Sequence, residues 1–272
     1  NLKFRTNFGY NFSASSYRSF SPKYHLGDAA KRDNNSVYQS MSTGLGWTFE
    51  NTLSYDFTIK DTHNFNTLIG MSAERGGLGE SINGTNEKLI FDSFKYAYLD
   101  NAKLIIPGQT TLGGAPWEKT GLMSYFGRIN YDYAHKYYAS LSYRHDGSSR
   151  FAKENRWGNF WSFGAGWRIS EEAFMKDVKW VNNLKLRASY GETGNDNILD
   201  SDGDPDYYPY QTLYGLGYKN GSEAGAYFTV IANPSLKWET QISTDIALEF
   251  GLFDRLTGTI EYFKKDSKDL LF

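Results

Sequence analysis

Large apolar side chains alternate with polar or small ones along residues 41–59, and this alternation is the feature that most constrains the fold. In MSTGLGWTFENTLSYDFTI, the odd positions from Met41 to Ile59 are apolar or aromatic apart from Thr43 and Asn51. Successive side chains of a β-strand point to opposite faces, so a period of two indicates a strand with one apolar face. Ordinary globular strands contain about five or six residues, and a tilted membrane strand needs about 9–11. The stretch therefore predicts an unusually long strand.

The same alternation recurs in eight other parts of the sequence. Ile129, Tyr131 and Tyr133, for example, alternate with Asn130 and Asp132. Under this assignment the apolar faces carry no Asp, Glu, Lys or Arg. We therefore predict nine strands, within residues 2–12, 41–59, 65–74, 123–133, 137–146, 161–169, 184–190, 238–250 and 256–262.

The connections between these strands alternate in length. Short ones lie near 60–64, 134–136 and 251–255, and long ones at 13–40, 75–119, 146–156 and 191–236. Tight turns on one side and extended loops on the other are typical of an outer-membrane barrel. Only 170–183 departs from this rule, and there we predict one helical turn capped by Ser170. All six prolines, at 22, 107, 116, 205, 209 and 234, fall in the long connections, as an unbroken strand ladder requires.

Aromatic residues make up 17% of the chain and gather at the predicted strand ends. Beside the short turns lie Tyr131, Tyr133, Tyr137, Trp167 and Phe250, and toward the long loops lie Tyr10, Phe12, Tyr143, Trp161, Tyr190 and Trp238. Two such belts match the interfacial girdles of a membrane barrel. We predict an all-β fold, namely an antiparallel transmembrane β-barrel segment. A soluble or surface-attached β-sandwich that binds carbohydrate is the alternative, because alternation alone does not separate the two.

Several function classes are excluded by composition and motif. A formal net charge of −2 provides no basic surface for nucleic acid. The chain has no cysteine, and its four histidines form no HExxH or i,i+2 pair, which argues against a histidine or thiolate metal site. No GxSxG or Walker motif occurs. We therefore predict that the chain is not an enzyme.

The segment YRHDGSSRF (143–151) gathers residue types that are common in active sites. His145 and Asp146 are consecutive in a predicted strand, so their side chains leave on opposite faces and cannot form one hydrogen-bonded line. Asp146-Gly147 is a strong reverse-turn signal between two alternating stretches. We therefore predict a polar turn that faces water rather than a catalytic cluster.

An acidic loop, DSDGDPD (200–206), gives one candidate metal site. Asp200, Asp202, Asp204 and Asp206 stand at alternate positions, similar to the start of an EF-hand calcium loop. The loop departs from that pattern at its sixth position, Pro205, and at its twelfth, Gln211. Calcium binding and a solvated acidic loop are both open interpretations.

The long connections also contain tyrosines and tryptophan that strand packing does not require. Exposed aromatic rings recur at binding surfaces, where they stack on sugar faces or peptide side chains. The candidate ligand-contacting residues are Trp117, Tyr207, Tyr208, Tyr210, Tyr214 and Tyr218. Packing of one loop against another is the alternative explanation for each of them.

Several segments resemble the barrel of SusC/RagA-type TonB-dependent outer-membrane transporters. The resemblance is dense over 120–272 and looser over 50–72. It is carried by YFGRINYDYAHKYYASLSYRHDGSSRF, RWGNFWSFGAGWRISEEAFM, LKLRASYGETGNDNI and NPSLKWETQISTDIALEFGLFDRLTGTIEYFKKDSKDLL. The run DGSSRF…RWG…GWRIS is the most specific part. Trp161, where such proteins often have proline, is a small departure.

The resemblance implies a bacterial outer-membrane location and a 22-stranded barrel filled by a plug. It implies import of glycans or peptides driven by the TonB complex, with a SusD-like surface lipoprotein as the lid. On this view, residues 1–272 are part of one barrel domain without its plug and final strands. Membrane lipid then contacts the apolar face, and the opposite face lines the barrel interior. The arginines expected to line that interior are Arg128, Arg144, Arg168 and Arg187.

Overall fold

The computed structural model describes residues 1–102, 110–220 and 223–271, apart from the side chains of 216–220, 223, 224 and 229. The strands are β1 (Leu2–Ser21), β2 (Tyr24–His25), β3 (Lys31–Arg32), β4 (Ser36–Ile59), β5 (His63–Glu87), β6 (Thr111–Pro116), β7 (Thr120–Tyr133), β8 (Tyr137–Ser148), β9 (Trp157–Arg168), β10 (Val181–Asn195), β11 (Leu213–Asn220), β12 (Glu223–Val230), β13 (Glu239–Leu252) and β14 (Leu256–Lys268). Within the described ranges, the helical segments are short 3₁₀ turns, and none is long and apolar enough to cross a membrane.

Ten strands hydrogen-bond into one sheet in the order β1-β4-β5-β7-β8-β9-β10-β13-β14, with β6 paired to β5. The nine predicted strands are thus confirmed. Three elements among the described residues were not predicted: β6, within the connection 75–119, and the separate hairpins β2–β3, within 13–40, and β11–β12, within 191–236. Several strands also continue beyond their predicted ends; β5, for example, reaches Glu87. Its alternation fades after residue 74 because the following residues, RGGLGE, include three glycines, which carry no side chain to show which face is apolar.

The chain divides into two compact units. Unit 1 comprises 1–8, 48–74 and 120–272, and unit 2 comprises 9–47 and 75–119. Unit 2 has a small core of Val37, Leu89 and Ala97. The fully buried Asn35 supports this core, because its Oδ1 accepts the Leu89 amide at 2.7 Å.

The sheet of unit 1 has one apolar face and one polar face. The apolar side chains lie open to the surroundings: Ile69 is 62% exposed, Phe163 54% and Ile260 67%. A β-sandwich would bury such a face against a second sheet. The period-two assignment is therefore confirmed, and the open apolar face favours the membrane barrel over the sandwich.

One predicted aromatic belt, beside the short turns, forms a chain of ring contacts. The ring-centroid distances are 4.8 Å for Phe57–Phe65, 4.9 Å for Phe65–Tyr131, 4.8 Å for His63–Tyr133, 6.1 Å for Tyr133–Tyr137 and 6.5 Å for Tyr137–Trp167. Near the long loops, Tyr143 and Trp161 pack together at 4.2 Å. The assignment of Trp238 to this second belt is wrong, because Trp238 is only 8% exposed and lies in a buried cluster one residue before β13 begins.

The three short turns share one backbone geometry. Two consecutive residues in each have positive φ: Lys60 and Asp61, Ala134 and His135, and Phe253 and Asp254. Such pairs match the twist of flanking antiparallel strands, as in type I′ hairpins. None of the three has the Asn-Gly or Asp-Gly signal.

The connection after β9 contains two 3₁₀ turns, Ile169–Glu171 and Ala173–Met175. The prediction that Ser170 caps a helical turn here is wrong. Ser170 lies inside the first turn, two positions after its N-cap, Arg168, and its buried hydroxyl has no hydrogen-bond partner.

Candidate functional site

The polar face of unit 1 contains a concave cavity of about 800 Å³. The strand order gives it two walls and a floor. One wall, from β4, β5 and β7, carries Asp56, Asn64, Asn66, Asn130 and Asp132, and the opposite wall, on β10, carries Lys185 and Arg187. The floor between them, on β8 and β9, consists of small residues, Ser140, Gly164 and Gly166. Polar groups of both charge signs therefore border an open trough.

The acidic and amide wall is a hydrogen-bonded ladder across three strands. Asn64 Nδ2 donates to Asp132 Oδ1 at 2.9 Å, and Asn130 Nδ2 donates to Asn66 Oδ1 at 3.1 Å. Asn66 in turn donates to Asp56. Asp132 Oδ2 is buried without a hydrogen-bond partner. This ladder was not predicted from the sequence, although polar residues at every second position of neighbouring strands are a signal for it.

The opposite wall is anchored by Arg187. Its guanidinium pairs with Asp245, with Glu249 at 3.0 Å and with Glu261 at 3.1 Å. These acids come from β13 and β14, so one arginine joins three adjacent strands. Lys185 lies beside it with its Nζ 5.3 Å from the centre of the Tyr138 ring.

The four arginines predicted to line a barrel interior share one face of the sheet. Residues that pair directly across neighbouring strands point to the same face. Arg128 pairs with Ser142, Arg144 with Phe160 and Arg168 with Lys185, and these partners lie on the polar face. Their surroundings differ. Arg144 binds Asp146 at 2.7 Å, Arg168 has a buried Nε without a hydrogen-bond partner, and Arg128 is exposed. Their role in lining an interior stays a prediction.

The segment 143–151 differs from its prediction in one respect. His145 and Asp146 do lie on opposite faces: His145 stacks on Trp157 at 4.5 Å, whereas Asp146 binds Arg144. The prediction of a water-facing turn beginning at Asp146-Gly147 is wrong, because β8 continues to Ser148 and Asp146 is only 7% exposed. A turn dipeptide can continue as a strand when both of its sides are paired, as here with β7 and β9.

The acidic loop arranges its carboxylates around backbone amides rather than around a common point. Asp200 Oδ1 accepts the amides of Asp202 and Asp204, both at 2.9 Å, and Asp206 Oδ1 accepts the amide of Tyr208 at 3.0 Å. Within the described residues, no group of three or more His, Asp or Glu side chains is placed to hold a metal ion. Asp200 and Asp206 therefore brace the loop backbone in this structure, and calcium binding stays a prediction.

The candidate ligand-contacting aromatics occupy different environments. Trp117 is 44% exposed and donates its indole N–H to Thr43 O at 2.6 Å. Tyr207, Tyr208 and Tyr210 are partly buried, and Tyr207 lies under the Arg150 guanidinium at 5.2 Å. Tyr214, on the β11–β12 hairpin, is 56% exposed and packs on Phe228 at 4.8 Å. Tyr218 pairs through its backbone with Gly225, and its side chain lies outside the described residues. Ligand contact by these residues stays a prediction.

A further polar cluster, centred on Glu172, lies beside the short turns and outside the trough. The Tyr137 hydroxyl and the Trp167 indole donate to Glu172 Oε1, and Lys136 Nζ donates to Oε2 at 3.2 Å. The hydrogen bond from Tyr137, followed by that from Trp167, holds the pKa of the Glu172 carboxyl below its ordinary value. The cluster ties the connection after β9 to the aromatic belt.

Comparison with known proteins agrees with this architecture. The family model described as TonB dependent receptor-like, beta-barrel matches residues 1–272. TonB-dependent receptor P39 of Formosa agariphila is 31% identical over the whole chain, and TonB-dependent receptor SusC of Bacteroides thetaiotaomicron is 40% identical over 55% of it. The chain spans 25% and 15% of the lengths of these two relatives.

Among solved structures, the RagAB peptide transporter superposes on 99% of the chain with a TM-score of 0.81, at 24% identity and over 28% of its own chain. This likeness shows the fold. The curated relatives carry receptor names rather than enzyme names, which agrees with the prediction that the chain is not an enzyme. With its two-faced antiparallel sheet, its aromatic belt beside tight turns and a family match over its full length, the chain belongs to the TonB-dependent receptor-like β-barrel family of bacterial outer-membrane proteins.

Proposed function

We propose that this chain forms part of the barrel wall of a SusC-like importer that takes up glycans or oligopeptides with energy from the TonB complex. In this proposal the apolar face of unit 1 contacts membrane lipid, and the polar face, with Arg128, Arg144, Arg168 and Arg187, lines the transport path. A SusD-like surface lipoprotein works with the barrel as its partner. Trp117 and the tyrosines of residues 196–238, the connection between β10 and β13, contact the cargo.

The observation that supports this proposal most is the separation of chemistry between the two faces of one sheet. Phe163 and Ile260 stand open on one face, while Arg187 and the amide ladder surround an open trough on the other. A barrel wall that separates lipid from an aqueous interior requires this division. A soluble binding protein would have no reason to leave such a face uncovered.

Extraction and uptake of the full-length protein in its native host test the proposal. We expect the protein to stay in the membrane after high-salt washing, to need detergent for release and to purify with one surface lipoprotein. Uptake of a fluorescent oligosaccharide or oligopeptide pool should stop when TonB is deleted. A protein that leaves with salt alone and stays monodisperse without detergent would contradict the membrane assignment.

The cargo class is resolved by the same uptake assay. We expect Tyr207→Leu to weaken uptake of either the oligosaccharide pool or a tryptic peptide pool, because aromatic stacking on a ligand is lost. Tyr262→Leu is the matched control, since Tyr262 is 65% exposed on the apolar face. Equal uptake by Tyr207→Leu and Tyr262→Leu in both pools would remove Tyr207 from the binding surface.

A further inference from the structure

The connection between β10 and β13, residues 196–238, is held at both of its ends by one short segment. That segment, 148–156, runs from the last residue of β8 to the start of β9 and is hereafter called the loop clamp. Both the clamp and the connection belong to unit 1. The contacts that join them involve hydrogen bonds, ring packing and one cation–π contact.

At the start of the connection, the clamp binds Asp196 and Asn197. Ser148 Oγ donates to Asp196 Oδ2 at 2.6 Å, and Ser148 is only 2% exposed. Arg150 Nη1 donates to Asp196 O at 3.0 Å and to Asn197 Oδ1 at 3.2 Å. Hydrogen bonds that involve charged groups are about twice as strong as neutral ones, so these contacts fix where the connection leaves the sheet.

At the end of the connection, the clamp binds Pro234 and Trp238. Asn155 Nδ2 donates to Pro234 O at 2.9 Å, and Trp238 Nε1 donates to Arg156 O at 2.8 Å. Phe151, fully buried, packs its ring on that of Trp238 at 5.5 Å. Ile198, from the start of the connection, belongs to the same buried cluster, so both ends of the connection join the cluster that contains Phe151.

Arg150 adds a contact inside the connection, because its guanidinium lies 5.2 Å from the centre of the Tyr207 ring. One side chain therefore binds the backbone at 196 and also orients an aromatic ring eleven positions later. A planar guanidinium over a ring is attracted by the ring quadrupole and restricts the ring's orientation.

We propose that the loop clamp fixes both ends of the connection 196–238, and that Ser148 and Arg150 are positioning residues for Tyr207. This inference rests on the proposed function in one respect, because it concerns transport only if Tyr207 contacts cargo. It gives DGSSRF a role in place of the predicted polar turn: Ser148 and Arg150 orient the connection 196–238, and Phe151 supplies its buried anchor.

Hydrogen–deuterium exchange on the full-length transporter tests the clamp without any ligand. We expect Arg150→Met to accelerate amide exchange in 196–208 by about tenfold. The substitution removes the charged hydrogen bonds from Arg150 to Asp196 and Asn197, at the start of this stretch. Amides of β8 and β9 should exchange as in wild type. Lys153→Met is the matched control, since Lys153 is an exposed cation of the same segment, and it should change nothing. Arg150→Lys, which keeps the charge and one donor, should restore most of the protection.

A double-variant cycle then separates positioning from general destabilisation. Using the peptide and oligosaccharide pools as probes, we expect Arg150→Met to raise the KM of uptake by about three- to tenfold with the maximal rate unchanged. In a Tyr207→Leu background the same substitution should have no further effect, because its target ring is gone.

The outcomes distinguish this inference from the proposed function. Exchange in 196–208 that is unchanged in Arg150→Met, or raised equally in β8 and β9, overturns the clamp even if Tyr207→Leu impairs uptake. Raised exchange confined to 196–208, together with normal uptake by Tyr207→Leu, supports the clamp and instead contradicts the role of Tyr207 in cargo binding.

Discussion

The two ends of the strands in unit 1 are stabilised in different ways. Beside the short turns, a partly exposed belt of aromatic rings runs along the apolar face, and Glu172 accepts hydrogen bonds from two of its members, Tyr137 and Trp167. At the long loops, Phe151, Phe160, Ile198 and Trp238 form a buried cluster instead. The first arrangement suits a boundary between lipid and water, where a ring needs one apolar and one polar side. The second is a small water-excluding core.

This difference shows where each end obtains its stability. A belt at an interface depends on its surroundings, because protein covers its rings only in part: Tyr133 is 37% exposed and Tyr137 43%. A buried cluster depends on protein contacts alone, and removing one ring leaves a cavity. The loop end should therefore respond more strongly to substitution than the belt does, and the following predictions test this order.

The largest effect is expected for Phe151→Ala. Phe151 is fully buried, and truncation of a buried phenylalanine costs about 3–5 kcal/mol. We expect a loss of this size in the free energy of unfolding of the full-length protein in detergent. Phe163→Ala on the apolar face, where the ring is 54% exposed, is the control and should cost less than about 1 kcal/mol. Equal losses of unfolding free energy in the two variants would contradict the difference between the buried loop-end cluster and the open apolar face.

A smaller effect is expected for Gly194→Ala. A Cβ at this position would lie 2.1 Å from Phe160 Cζ, so the ring must move within the cluster. Overpacking of this kind costs about 1–3 kcal/mol. Gly191→Ala, on the same strand, is the control, because its Cβ would meet Ser162 Cβ at an ordinary 3.5 Å. Denaturant midpoints of the two variants provide the measurement, and a Gly194→Ala midpoint at or above that of Gly191→Ala would contradict the packing.

The same comparison explains what could be predicted from the sequence. Period-two alternation and short turns are local patterns, so the nine strands, the polar and apolar faces and the belt at Tyr131, Tyr133 and Trp167 followed from them. Trp238 shows the limit of that reasoning. Its position in the alternation indicates the apolar face, but long-range contacts with Phe151 and Phe160 bury it at the loop end.

The candidate sites were less predictable for a related reason. Asp146 and Gly147 have the residue types of a turn, yet pairing on both sides keeps them in β8. The four aspartates of 200–206 have the spacing of calcium ligands, and the sequence did not show that Asp200 Oδ1 accepts two backbone amides. Residue spacing indicates which groups could converge, whereas backbone geometry decides whether they do.

At the belt end, Glu172→Ala should lower the stability of the protein less than either loop-end substitution, Phe151→Ala or Gly194→Ala. It removes the acceptor for Tyr137 and Trp167 and the ion pair with Lys136. We expect the melting temperature of the full-length protein to fall by about 1 °C or less, because the shift from one modest polar interaction shrinks as chain length grows, and this chain spans 25% of a relative. Glu171→Ala, at the neighbouring position, is the control. A fall larger than the melting-temperature change of Gly194→Ala, measured in the same experiment, would reverse the order proposed for the two ends.

The smallest expected effect is the change with pH in the contribution of the Glu172 carboxyl to stability. Hydrogen bonds from Tyr137 and Trp167 lower the pKa of Glu172 from its ordinary value of 4.5. A carboxyl with a lowered folded-state pKa contributes stability that is present above 4.5 and is lost as pH falls through the lower folded value. We therefore expect the difference in melting temperature between wild type and Glu172→Gln to be constant above that pH and to shrink below it. A difference that grows on acidification would contradict the direction of the shift and, with it, the contribution of the ionised carboxylate to the belt.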